Sequence, residues 1–210
     1  MTTRIDQFSP PGGDVNTWII GDDEEVIVID PGADAAGVLD AVGDREILAV
    51  ICTHGHASHV TAALDVAERD DSSIALHPRD KGRWRESHPD DEADIDMADG
   101  GVFEVADVQL EVIHAPGHTP GSVCLYCEDL GVVFTGHAML ADGPADQDDD
   151  DFPDLAGQLN AIGENLLSLP EDTRVLPGRG PETTIGAAEK KFDSWAAGGT
   201  VPSTPTSFGD

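Results

Sequence analysis

A chain of 210 residues is long enough for one domain to bury a core without disulfides, and 42 acidic against 11 basic residues give it a formal net charge of -31. That sign argues against nucleic acid and anionic membranes as partners, because affinity for phosphate is built from lysine and arginine, and the lysines are only Lys81, Lys190 and Lys191. No stretch approaches the ~20 apolar residues that span a bilayer, and the N-terminal residues lack the apolar core of a signal peptide, so the expected location is the cytoplasm.

The carboxylates recur beside ordinary apolar runs such as residues 26–29 and 47–51. This distribution suits a folded protein kept soluble in the salt-rich cytoplasm of a halophile, where self-repulsion is screened.

After a start rich in proline and glycine, VNTWII and VIVID read as two strands joined by an acidic turn at residues 21–25. Residues 34–42 have the spacing of a short helix. ILAVIC is a continuous apolar run of strand length, expected to be buried on both faces. THGHASH follows directly, and residues 60–68 repeat apolar positions at helical spacing. SIALHP reads as another strand and the polar stretch 79–99 as loop with one helical turn. VFEVADVQLEVIH alternates around Ala106 and Asp107 as a hairpin does, and VCLYC and GVVFTG continue that pattern.

Residues 146–151 read as a solvated loop, and Leu155, Leu159, Ile162, Leu166 and Leu169 form the stripe of an amphipathic helix. RVLPG is a last strand and residues 187–196 a final helix. The organisation expected is a single domain over residues 1–197 with a flexible tail over 198–210. No internal repeat is evident, although strands followed by helix occur in two halves. Cys52, Cys124 and Cys127 include one C-x-x-C, and the alternating strand pattern around it favours buried, reduced thiols over a metal or redox pair.

Five of the eight histidines, His54, His56, His59, His118 and His137, fall in three short glycine-containing turns just beyond strands. Neutral imidazole is the commonest protein ligand for zinc, and two histidines one residue apart on an extended turn can face one ion. His77, His88 and His114 read as ordinary packed or surface side chains.

The run from His54 to His59 resembles the H-x-H-x-D-H signature of the metallo-β-lactamase superfamily, and PGHTPGS around His118 resembles its second metal motif. FTGH stands where that family has F-T-G-D, and LPGRGPETTIG where it has P-G-H-G-P-x-T-T-I-G. The resemblance runs in family order over residues 16–189, with the glyoxalase-II-like branch the most similar. It implies an αββα four-layer sandwich of α/β class.

In such a fold the first metal would be held by His54, His56 and His118, all present here. At the second site Ser58 replaces an aspartate, Arg179 a histidine and His137 the bridging aspartate. A hydroxyl is a poor ligand and a guanidinium is none. The expectation is therefore one divalent ion, zinc with iron as the alternative, held by His54, His56, His118 and His137. His137 either adds a fourth ligand with an open position left or closes a structural tetrahedron.

Arg179 would bind a substrate carboxylate or a developing oxyanion, or else salt-bridge a nearby acid, with Ser58 helping to orient or stabilise the oxyanion and His59 shuttling a proton. The implied function is a mononuclear hydrolase of esters or thioesters of small thiols. A non-catalytic metal-binding scaffold and an iron persulfide dioxygenase are the alternatives. The missing secretion signal disfavours a β-lactamase, and charge and length disfavour a nuclease.

Overall fold

The computed structural model describes residues 2–12, 15–145 and 154–198. The first half forms a six-stranded sheet in sequence order: β1 (Arg4–Phe8), β2 (Thr17–Gly21), β3 (Glu25–Ile29), β4 (Glu46–Ile51), β5 (Ser73–Leu76) and β6 (Ile95–Asp96). β1, β2 and β3 pair antiparallel, and β3 to β6 run parallel. The second sheet runs from β7 (Val102–Val105) through β8 (Val108–His114), β9 (Val123–Cys127), β10 (Val132–Gly136) and β11 (Arg174–Pro177) to β12 (Thr183–Thr184).

Three clusters of buried side chains make the four layers. Trp18, Ile20, Ile27, Ile51, Leu110, Leu125 and Phe134 fill the space between the sheets. The alternate residues Ile19, Val28 and Val50 face outward against α1 (Ala35–Val42), α2 (Ala57–Val60), α3 (Ala63–Glu68) and α4 (Lys81–Ser87). On the far side Cys124, Val133 and Val175 pack against α5 (Leu155–Ala161), the π turn that continues it (Ile162–Leu166) and α6 (Ile185–Gly198). Burial on both faces explains why β2, β3 and β10 read as continuous apolar runs. This is the α/β sandwich expected from the motifs.

The local expectations mostly hold, with these corrections. RVLPG is not the last strand, since the two-residue β12 follows it and pairs with it. The segment ahead of VNTWII contains β1, an edge strand whose half-exposed residues leave no alternating signal. ILAVIC is buried on both faces except at Leu48, which is 36% exposed. The helical spacing expected over residues 60–68 is split into α2 and α3, so His59 lies within a helix. The polar stretch 79–99 holds α4, anchored by fully buried Trp84 whose indole donates to Asp91 O, and also the two-residue strand β6. The hairpin turn at Ala106 and Asp107 forms as read, both residues at positive φ, and the three cysteines are buried free thiols. The loop expected at residues 146–151 and the tail after Gly198 lie outside the described residues.

Candidate metal centre

The histidine turns leave the same end of the two sheets. His54 follows β4, His118 lies between β8 and β9, and His137 follows β10. The halves are clamped there by the Trp18 indole, which donates to Pro177 O at 3.0 Å, and by Asn16, whose backbone N–H donates to Gly178 O at 2.7 Å. The loop after β11 that carries Arg179 is thereby held over the turns of the first sheet.

The five imidazoles form one cluster with His54 in contact with all the others, at ring separations of 4.1 to 5.1 Å. His56 Nδ1 lies 3.0 Å and His137 Nδ1 3.3 Å from His118 Nε2. Ligand nitrogens of His54, His118 and His137 all lie within 4.8 Å of one another. His54 Nε2 is buried and has no hydrogen-bond partner among the described residues. A buried nitrogen left this way costs about 1–3 kcal/mol, a cost that a bound cation removes. The donor set, imidazole throughout, suits a divalent ion of borderline softness.

Burial, with the neighbouring rings second, pushes His54 well below the ordinary imidazole range. The same causes take His118 down to about 3 and lower His137 further, with Arg179 adding to both and Arg83 to His118. All three rings are therefore neutral at pH 7 and present lone pairs. His56, His118 and His137 keep partial exposure, so one side of the cluster is accessible.

Residues that sequence reasoning passed over hold the cluster in place. Asp30, at 1% exposure, adopts a left-handed φ of 52°, and its carboxylate accepts from Thr53 N at 2.8 Å and Thr53 Oγ1 at 2.7 Å. Its Oδ2 lies 3.0 Å from His59 Nδ1, although that N–H is not aimed squarely at it. A non-glycine residue at positive φ stores strain that the surrounding structure must sustain. Asp30 has one local signal, its place at the end of VIVID just before Pro31-Gly32.

Asp80 had no local signal. Its fully buried carboxylate accepts from Gly55 N at 2.8 Å, Gly121 N at 2.7 Å and Thr119 Oγ1 at 2.6 Å, tying the first two histidine turns together. Gly121 permits the approach, since a Cβ there would come within 2.6 Å of that carboxylate. Gln158, buried on α5, donates to His137 O and Ala138 O and so fixes the third turn.

The structure gathers His54, His56, His59, His118 and His137 and separates Ser58 from them in environment. Ser58 is exposed on α2 and lines an apolar cleft of ≈ 280 Å³ with Phe8, Pro10, Val15 and Pro31. Arg179 is half-buried beside the cluster, and neither it nor Arg83 forms an ion pair with a carboxylate among the described residues. His77 and His114 stack on each other at 4.4 Å and His88 bonds Val60 O, all three engaged outside the cluster.

Comparison with known proteins agrees with this geometry. The family described as the metallo-beta-lactamase superfamily matches residues 10–179. The chain is 34% identical to an uncharacterized protein of Aquifex aeolicus, covering 87% of this chain and 92% of that one, and 28% identical to the hydroxyacylglutathione hydrolase GloC of Haemophilus influenzae, covering 83% and 90%. Its structure superposes on the crystal structure of the BLEG-1 B3 metallo-beta-lactamase with a TM-score of 0.80 and 26% identity, over 89% of this chain and 97% of that one. With a family match across most of its length and the histidine turns converging at one end of both sheets, the chain belongs to the metallo-β-lactamase superfamily.

Proposed function

We propose that the protein is a mononuclear metal-dependent hydrolase of carboxylate-bearing esters or thioesters of small thiols. The observation that carries this reading is the set of neutral imidazole nitrogens converging on one partly exposed point. His54, His56, His118 and His137 would hold one divalent ion, zinc or iron. Such an ion supplies Lewis acidity toward a carbonyl oxygen and lowers the pKa of water. GloC, a hydroxyacylglutathione hydrolase, supports the thioester class.

The chain's own residues bind and orient the substrate. Arg179 and Arg83 stand at the cluster without carboxylate partners among the described residues, in a chain with 42 acidic residues. Guanidinium groups are planar donor forks suited to a substrate carboxylate or a developing oxyanion. The apolar cleft beside Ser58 suits an acyl or thiol side group. An iron oxygenase with a two-histidine, one-carboxylate site is less well supported. Among the described residues the set of that composition, Asp30 with His54 and His59, is wholly buried and its carboxylate is taken by Thr53.

The test is metal content per chain by elemental analysis, on protein purified in high salt without added metal, with hydrolysis of S-acyl small thiols followed in parallel. One equivalent of metal and thioester hydrolysis are expected. Structural zinc binding is worth about 10–16 kcal/mol over four ligands, so His118→Ala is expected to bind on the order of a hundredfold more weakly. An ion bound without any ester or thioester hydrolysis would leave the scaffold reading. Arg179→Gln is expected to raise KM roughly 10- to 100-fold for carboxylated substrates, the worth of a charge-assisted hydrogen bond, and to leave uncharged analogues within a few fold. Equal effects on both would remove Arg179 from substrate binding.

A further inference from the structure

His59 belongs to the H-x-H-x-D-H-like run, yet its surroundings give it other work. The Asp30 carboxylate is acceptor-only, and it faces Thr53 N–H, Thr53 O–H and His59 Nδ1. A bare nitrogen 3.0 Å from a carboxylate oxygen would hold two negative partial charges together in a buried place, so the His59 proton sits on Nδ1 even though the contact is not well aligned. With that single proton the His59 ring offers a lone pair at Nε2, and the atom facing it at 3.2 Å is His137 Nε2. His137 must supply the proton for that contact, which leaves its Nδ1 bare, and Nδ1 is the atom turned toward His118 Nε2.

The same carboxylate settles His54. The Thr53 hydroxyl gives its hydrogen to Asp30 Oδ2 and so can only accept at its 3.1 Å contact with His54 Nδ1. His54 is thereby protonated at Nδ1 and bare at Nε2, the buried nitrogen with no partner among the described residues. Outer partners of this kind fix ring orientation and tautomer in metal-binding histidines generally.

We propose that His59 is a positioning residue that accepts the Nε2–H of His137 and fixes His137 as an Nδ1 metal ligand, instead of holding a metal itself. Asp30 anchors the chain of contacts, which ends in lone pairs on His54 Nε2 and His137 Nδ1, both directed at one ion. An aspartate at position 137 would have no proton to give to His59. The residue that replaces the family's bridging carboxylate is thus also the one whose proton occupies His59 Nε2. This inference rests on the proposed metal centre but has its own readout.

Histidine-selective 15N NMR on the metal-free protein at pH 7.5 reads the tautomers directly. His59 is expected as the Nδ1–H form, and His137 as the Nε2–H form with a bare Nδ1. Titration with zinc should shift His137 Nδ1 into the metal-bound range and leave both nitrogens of His59 where they were. A metal-bound shift at His59 Nε2, or an Nδ1–H tautomer at His137 in the metal-free protein, would overturn the proposal.

Variants give an independent check through zinc affinity and stoichiometry. His59→Leu removes the acceptor and is expected to weaken zinc binding 10- to 100-fold at an unchanged single equivalent, the usual effect of losing an outer partner. His59→Gln places a carbonyl oxygen near the former Nε2 and is expected to restore binding to within a few fold. A whole equivalent of zinc lost in His59→Leu would make His59 a ligand and overturn the proposal. If the wild type bound no metal, the hydrolase reading and the ligand role of His137 would both fail, while the tautomers of the metal-free protein would still decide the His59–His137 contact.

Discussion

Asp80→Ala is expected to lower the unfolding free energy by about 3–9 kcal/mol, since each of three buried donors left without an acceptor costs about 1–3 kcal/mol. The donors are Gly55 N–H, Gly121 N–H and the Thr119 hydroxyl, all within 2.8 Å of a carboxylate with no exposure. A domain of this size has about 5–15 kcal/mol in total, so the variant should be largely unfolded or close to it. Gly55 lies between His54 and His56, and Thr119 follows His118, so the loss falls on two histidine turns at once. Asp80→Asn keeps the volume and one acceptor oxygen but turns an amide N–H toward a donor, and an intermediate loss is expected. Urea unfolding of the three proteins gives the order. A change below about 1 kcal/mol in Asp80→Ala, within the spread of ordinary surface substitutions, would show that other contacts tie the turns.

Asp80 also shows where the sequence stops being informative. The turns themselves are legible because three glycine-containing histidine runs follow apolar strands, and strands buried on both faces leave unbroken apolar runs. The carboxylates that support those turns leave no comparable mark. Asp30 reaches a residue 23 positions away, and Asp80 reaches residues 25 and 41 positions away. No window of local periodicity contains both partners. Gln158 falls between the stripe positions Leu155 and Leu159 and reads as a polar break in an apolar face, yet it is buried because its amide is needed at His137 O.

Elements without a strong face were lost for a related reason. β1 pairs along one edge only, so its burial is partial and RIDQF shows no alternation. α4 is held by one large residue, Trp84, and a single apolar anchor does not make a helical period. The placement of individual side chains was not legible. A serine in the histidine run looks like part of the centre, whereas the α2 turn directs it to the cleft beside Phe8 and Pro31.

Metal-free protein is expected to lose stability steeply as the pH falls below about 6.5, before its carboxylates titrate. His54, His118 and His137 are all held below their ordinary value by burial first and by neighbouring imidazoles second, His118 at about 3. The unfolded chain, with histidines near 6.5, therefore binds more protons than the folded one between those limits. Stability rises with pH wherever the unfolded state binds more protons. The contribution is fully present above about 6.5 and is lost on the way down toward 3. Each such imidazole adds up to about 1.4 kcal/mol per pH unit. His77, lowered by burial and by its stacking partner His114, acts with the same sign from outside the cluster.

Reference carboxylates titrate near 4, so urea unfolding between pH 7 and 5 isolates the histidines, and molar salt screens the exposed acidic surface. His118→Gln should flatten the slope by about one proton's worth, whereas a metal-free wild type equally stable at pH 7 and pH 5 would show that the cluster is not held neutral. Protons and a divalent ion compete for the same lone pairs. Metal-loaded protein should accordingly keep its stability further into the acid range and then lose ion and fold together.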